Sequence, residues 1–152
     1  MKIVIIGVGG MGAISLSKII AEASVAKGLY VKSTENHGMA KKGGLVEIYM
    51  KINEGLSPYI QQGSADFAIV LETAYSDYAK AFLKKSGILI ELSNTERDDI
   101  VDRFGDVKFA NSFILGRFIK SQTLFSSDDM ENILKNFKNA DKNISAFKMG
   151  VV

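Results

Sequence analysis

Ile3-Val4-Ile5-Ile6-Gly7-Val8-Gly9-Gly10-Met11-Gly12 is the stretch that decides the fold. Its continuous β-branched run predicts a strand buried on both faces of a sheet, because a strand with one wet face would alternate apolar with polar residues. Glycines then crowd the chain, and Leu16, Ile19, Ile20 and Ala23 follow at the i, i+3, i+4, i+7 spacing that lines one face of a helix. The helix is expected from about Gly10 to Lys27, with Gly28 ending it and Leu29–Thr34 as the next strand. Strand, tight turn, helix and strand make a βαβ unit, whose crossover is right-handed in nearly every parallel sheet. The expected class is α/β, a Rossmann-like open, mostly parallel sheet with helices on both faces.

Working outward, Glu35 to Gly44 shows neither helical nor strand period and is expected to be a loop. Val46, Ile48, Met50 and Ile52 alternate with Glu47, Tyr49 and Lys51, the pattern of a strand near a sheet edge. Asn53–Ser64 is a connection around the sole proline, Pro58, and Asp66–Glu72 is another buried strand. Tyr75, Tyr78, Ala79 and Phe82 mark a helix, core-facing or at a subunit interface, and Gly87–Leu92 a strand. A charged helix near Glu96–Phe104, a strand at Val107–Ala110 and a helix from Asn111 to about Ser121, capped by Asn111, come next. Two helices close the chain. Ser127 is the expected N-cap of the first, Asp128 and Asp129 suit its first turn, and Met130, Ile133, Leu134 and Phe137 form its stripe. Ile144 and Phe147 anchor the second. No repeat, biased segment or linker divides the sequence, so residues 1–152 are expected to form one domain.

Composition narrows the function. The 19 Lys and Arg nearly balance 17 Asp and Glu and are scattered, so the basic stripe that neutralises nucleic-acid phosphates is missing. There is no cysteine, which excludes disulfides, thiolate nucleophiles and Cys-held zinc or iron–sulfur clusters in this sequence. A lone histidine, His37, has no histidine or cysteine to share a metal with. The uncharged run after Lys2 superficially resembles a leader, but only Ile3–Ile6 are strongly apolar and an amphipathic helix follows; no stretch reaches the roughly 20 apolar residues of a membrane span. The expected compartment is the cytoplasm.

Gly7, Gly9 and Gly12 fit the spacing G-x-G-x-x-G, and a helix N-terminus beyond such a turn offers N–H groups to an anion. In that pattern Gly7 permits the tight turn, Gly9 lets backbone approach a phosphate, and Gly12 packs helix on strand, with Gly10 in the same turn. A dinucleotide site also needs an acid ending the second strand, about 20 residues on. Glu35 falls a little late, so an independent NAD(P)-binding oxidoreductase stands as the alternative.

Taken with a second motif, the chain resembles the γ-type subunits of 2-oxoacid:ferredoxin oxidoreductases, most closely the small (β) subunit of indolepyruvate ferredoxin oxidoreductase. That family opens with a strand and Gly-x-Gly-Gly-Gln-Gly, from which Gly7–Gly12 departs only by Met11. His37-Gly38-Met39-Ala40-Lys41-Lys42-Gly43-Gly44 resembles its His-Gly-Met-Ala-Gln-Arg-Gly-Gly. Ser57-Pro58, Ala65–Glu72, Asn111 with Leu115-Gly116, and Ala146-Phe147 with Gly150 fall in family order. The resemblance implies a heteromeric enzyme that decarboxylates an arylpyruvate on thiamine diphosphate and magnesium, passes electrons through iron–sulfur clusters to ferredoxin, and yields an acyl-CoA. The sequence carries no Gly-Asp-Gly…Asn-Asn signature for the diphosphate, so those cofactors are expected on a large partner subunit, with CoA a candidate ligand near this chain.

The candidate catalytic residues are His37, as a hydrogen-bond donor to a substrate carboxylate or a CoA phosphate, and Lys42, which keeps the charge of the family arginine without its planar fork. Gly7, Gly9, Gly10, Gly12, Gly43, Gly44 and Glu72 are the candidate cofactor-binding residues; for the two glycines of the second motif a backbone turn with positive φ is the preferred reading over ligand contact, and Glu72 could instead cap the next helix. A purely scaffolding subunit, and a homodimer of the isolated chain through an edge its partner would cover, are further expectations.

Overall fold

The computed structural model describes residues 1–38 and 44–152. Its sheet runs β2-β3-β1-β4-β5, with β1 at Lys2–Val8, β2 at Val31–His37, β3 at Leu45–Ile52, β4 at Ala65–Val70 and β5 at Leu83–Glu91. The helices are α1 (Ala13–Ala26), α2 (Ser76–Lys80), α3 (Asn94–Phe104), α4 (Ala110–Lys120), α5 (Ser127–Leu134) and α6 (Ala140–Val151). β1 pairs parallel with β4, and β4 with β5, whereas β3 pairs antiparallel with both β1 and β2. Four strands therefore share one direction and β3 alone opposes them. The fold is α/β with a mixed sheet and helices on both sides.

The expected βαβ unit is corrected in its order. β3 inserts between β1 and β2, so the strand that follows α1 lies two places from the strand that precedes it. β3 is likewise interior, and the edges are β2 and β5. Its alternation has another cause, since Val46, Ile48, Met50 and Ile52 enter the thicker core while the intervening residues face the thinner side. β2 extends through Glu35, Asn36 and His37, which pair with Ile48, Glu47 and Val46. An edge strand tolerates such polar residues because backbone pairing holds it while much of its surface stays wet.

Smaller boundaries also move. Val107–Phe109 is a 3-10 turn rather than a strand, fixed where the Asp106 carboxylate accepts from the Lys108 N–H at 2.9 Å. The segment after β4 makes only a short 3-10 turn and α2, and Phe82 precedes a β5 that starts four residues early, at Leu83, because Leu83 pairs with Ala65 across a register shift. Ser126, not Ser127, caps α5, in a reciprocal capping box with Asp129; Ser93 and Glu96 make the same box on α3.

β1 is buried on both faces, as its sequence requires. Ile3 and Ile5, with Ile48, Met50, Phe67 and Ile69, meet the buried sides of α1, α3, α4, α5 and α6. Val4 and Ile6, with Tyr49, Ala68 and Val70, meet Ala79 and Phe82 on the other side. On the thick side α4 and α6 touch backbone to backbone. A Cβ on Gly116 would overlap the Phe147 carbonyl, and one on Gly150 the Phe113 carbonyl, so only glycine permits this crossing.

Candidate functional site at the carboxyl end of the sheet

The carboxyl ends of β1, β2, β4 and β5 lie on one side of the molecule, and the glycine turn rises from the end of β1. Gly10 and Gly12 adopt left-handed backbone, at φ 92° and 86°, a region L side chains enter only with strain. The Met11 N–H closes the turn on the Val8 carbonyl at 3.3 Å, and the Leu16 N–H meets the Gly12 carbonyl at 2.9 Å to start α1. Gly12 has no side chain to cap α1, and the first helical turn carries no acid. Its first N–H groups thus point toward the site without a side-chain acceptor of their own.

The individual glycine roles shift from those the motif suggests. Gly7 lies inside β1 rather than in the turn, and a Cβ there would sit 3.4 Å from Leu71 and 3.5 Å from Ala13, so it sets the strand-to-helix spacing. Gly12 meets α4 instead: a Cβ on it would come within 2.9 Å of the Asn111 side chain. Met11 is buried in the main core, which accounts for an apolar residue at this position. Gly9 donates its N–H to the Gly44 carbonyl at 3.1 Å. That bond joins the glycine turn to the end of the β2–β3 hairpin, 35 residues away in sequence.

His37 ends β2 opposite Val46, exposed, with Nε2 3.3 Å from the Glu35 carboxylate. Lys42 and Gly43 lie outside the described residues. Glu72 follows β4 at the same end of the sheet, where its carboxylate accepts from the Ala74 N–H at 3.3 Å and from the Arg97 guanidinium at 3.0 Å. It caps the 3-10 turn and pairs with Arg97. Glu35 is also poorly placed for a ribose: two strand spacings, roughly 10 Å, separate its strand from the glycine turn.

Sequence reasoning missed the cleft on the helix side of this turn. It has a volume of about 240 Å³ and is lined by Gly12, Ser15, Lys108, Asn111, Lys138 and Asn143, among others. Asn111 is not a cap: α4 begins at Ala110 after Phe109, and the Asn111 side chain is buried against Gly12, its Oδ1 accepting from Ser112 Oγ at 3.2 Å. Two ammonium groups, amides, a hydroxyl and the uncapped start of α1 suit an anionic group. The signal available in sequence was weak, because lysines and asparagines on late helices are ordinary surface residues.

A family model described as pyruvate ferredoxin/flavodoxin oxidoreductase matches residues 2–152. The chain belongs to this oxidoreductase family. It is 46% identical over 91 residues to the indolepyruvate oxidoreductase subunit IorB of Archaeoglobus fulgidus, an alignment covering 59% of this chain and 45% of that protein. The chain thus spans less than half the length of that relative. Its fold matches the pyruvate oxidoreductase subunit PORC of Thermotoga maritima with a TM-score of 0.81 at 21% identity, over 99% of this chain and 94% of the other. It also matches part of a 2-oxoglutarate:ferredoxin oxidoreductase from Magnetococcus marinus, solved with 2-oxoglutarate, coenzyme A and succinyl-CoA bound, with a TM-score of 0.74 at 18% identity, over 99% of this chain and 30% of that one. Within the family chain described here, no helix among the described residues is long and apolar enough to cross a membrane.

Proposed function

We propose that this chain is the small subunit of a thiamine-diphosphate-dependent 2-oxoacid:ferredoxin oxidoreductase whose substrate is an arylpyruvate such as indolepyruvate. The observation that carries the reading is the Gly9–Gly44 bond, which ties the glycine turn to the described end of the second segment that resembles the family. The identity to an indolepyruvate oxidoreductase subunit supports the substrate class. Neither thiamine diphosphate nor an iron–sulfur cluster fits the residues present: the sequence has no cysteine and no diphosphate signature. Those groups, with their magnesium, belong to a larger partner, through which ferredoxin is reduced in the cytoplasm.

Coenzyme A does fit. The uncapped N–H groups of α1 beyond Gly9, Gly10 and Gly12, with Lys108, Lys138, Asn111 and Asn143 across the cleft, would hold its phosphates. When bound, it supplies the thiol that accepts the acyl group. His37 stands exposed at the same end of the sheet and donates a hydrogen bond to the substrate carboxylate or a CoA phosphate.

Purification of this chain from its own cells tests the assignment. A larger chain carrying thiamine diphosphate and iron–sulfur clusters is expected to accompany it, and recovery of the chain alone, with tight binding of NAD(H) or NADP(H), would overturn the reading in favour of an independent dehydrogenase. In the assembled complex, His37→Ala is expected to lower turnover by about 10-fold or more with assembly intact. Unchanged turnover would leave the chain an assembly role only.

A further inference from the structure

One carboxylate is out of balance. Glu47 Oε1 is a buried side-chain atom without a hydrogen-bond partner among the described residues. Strand alternation puts Glu47 on the thin side of the sheet with Tyr49, and α2 brings Tyr78 to the same place, edge-on to Phe82 with ring centres 5.5 Å apart. Phe82 packs in turn on Tyr49 at 5.6 Å, and Tyr59 lies 6.4 Å beyond. The neighbouring Glu47 carboxylate, together with partial burial, holds the Tyr78 hydroxyl protonated well above the ordinary phenol range. Burial first, and then the Glu47 charge, push Tyr49 in the same direction. Among the described residues no cation pairs with Glu47, and a partly buried carboxylate without one is costly.

The opposite end of the same strip carries the opposite excess. Lys51 lies four residues along β3 from Glu47, roughly 13 Å at the rise of a strand, and Lys32 of β2 sits directly across from it. Like charges in that register repel, and neither lysine forms an ion pair with a described residue. The helix covering this side, α2, packs on β4 and β5, away from the β2 edge. Around the strip stand large apolar side chains in solvent: Leu56 is 89% exposed, Tyr59 65% and Tyr78 41%. Tyrosines at the margin of a desolvated pocket are a common feature of protein interfaces.

We propose that the β2–β3 strip on the thin side docks the larger partner subunit, which lays across it a segment presenting a basic side chain to Glu47 and an acidic one to the Lys32–Lys51 end. The proposal rests on the subunit reading above and adds the face and the charge pattern of the contact. The strip's charge order also fixes direction, because a segment docked in reverse would set like charge against like at both ends. The partly exposed Glu47 can be reached from solvent, and an incoming ammonium or guanidinium would find the Tyr49 and Tyr78 rings beside the carboxylate.

The test measures affinity between the purified full-length chain and the thiamine-binding chain that accompanies it. Glu47→Gln is expected to weaken binding about 30-fold and Lys51→Glu about 10-fold, with Lys135→Glu, at the end of α5 on the thick side, within about threefold of wild type. Circular dichroism checks each fold; if Glu47→Gln is misfolded, the exposed-end variant Lys51→Glu decides. Binding by both folded variants within about threefold of wild type overturns the docking face while leaving the subunit reading intact. Sedimentation of the isolated chain as a dimer that Glu47→Gln dissolves overturns it too, by making the strip a contact between copies. If wild type brings no thiamine-binding chain at all, the subunit reading fails and the docking face fails with it.

Discussion

On one side of the sheet Ile3, Ile5, Ile48 and Ile69 lie under five helices, two of which touch backbone to backbone at Gly116 and Gly150. On the other side Val4, Ile6, Ala68 and Val70, their immediate neighbours on the same strands, lie under the five residues of α2, Phe82 and a loop. The strand residues are equally apolar and equally buried, so the difference lies in what covers them. The thick side uses its side chains to close a core. The thin side keeps tyrosines and charged groups near solvent, and its β2–β3 half is finished by polar residues rather than by a helix. Fold stability and availability to a partner are thereby assigned to opposite faces.

Matched truncations give the largest effect. Phe118 is fully buried on the thick side and meets Phe67 edge-on at 5.2 Å; Phe82 is its counterpart on the thin side, 6% exposed. Phe118→Ala is expected to cost about 4 kcal/mol and Phe82→Ala about 2 to 3, since a site nearer the surface collapses or admits water more readily. Urea unfolding with an unchanged m-value measures both. Equal losses would break the contrast and make the thin side as tightly built as the thick one.

How much of this could be read from sequence follows the same division. Ile3–Ile6 and the Leu16, Ile19, Ile20, Ala23 stripe were legible because burial leaves a periodic signature wherever packing is tight. The insertion of β3 between β1 and β2 was not, because strand order depends on pairings between distant segments and leaves no local period. Glu35–His37 were invisible as a strand for a related reason: an edge strand held by its backbone needs no apolar side chains. At the site, the glycine turn was evident, yet the packing partners of Gly7 and Gly12 were not, since only tertiary contact shows that Gly7 faces Leu71 and Gly12 faces Asn111. Met11 departs from the family glutamine, and only its burial explains why an apolar side chain suits this chain. Lys108, Lys138 and Asn143 converge on the cleft from separate elements, and no spacing rule links them.

A smaller effect comes from a residue that serves both faces. The Asp66 carboxylate, at the start of β4, accepts from the Lys2 N–H of β1 at 2.7 Å and pairs with Lys84 of β5 at 2.5 Å. Burial works to raise its pKa, but Lys84 and the Lys2 N–H outweigh burial and hold it below the usual carboxylate range. A group whose folded pKa is depressed stabilises the fold above its unfolded value, about 3.9, and that contribution is lost as pH falls through the lower folded value. Wild type is therefore expected to exceed Asp66→Asn by about 1 kcal/mol or less at pH 7, with the difference shrinking as pH falls below about 4. Parallel stability curves for the two proteins over that range would contradict the assignment. Because the clamp ties three strands rather than one face, its loss is expected to leave the Phe118 and Phe82 costs unchanged.

The smallest stability effect belongs to the thin side's outermost residues. Leu56 and Tyr59 lie on the connection between β3 and β4 and are both well exposed, so their truncation removes little buried area and leaves no cavity. Leu56→Ala and Tyr59→Ala are each expected to change unfolding free energy by no more than about 0.5 kcal/mol. The contrast is sharpened if the same substitutions weaken docking of the larger subunit, because a residue that does nothing for the fold and something for assembly belongs to the interface alone. A stability loss of about 2 kcal/mol at either position would point the other way, to a core on this side that extends through the loop and leaves no free surface for a partner to cover.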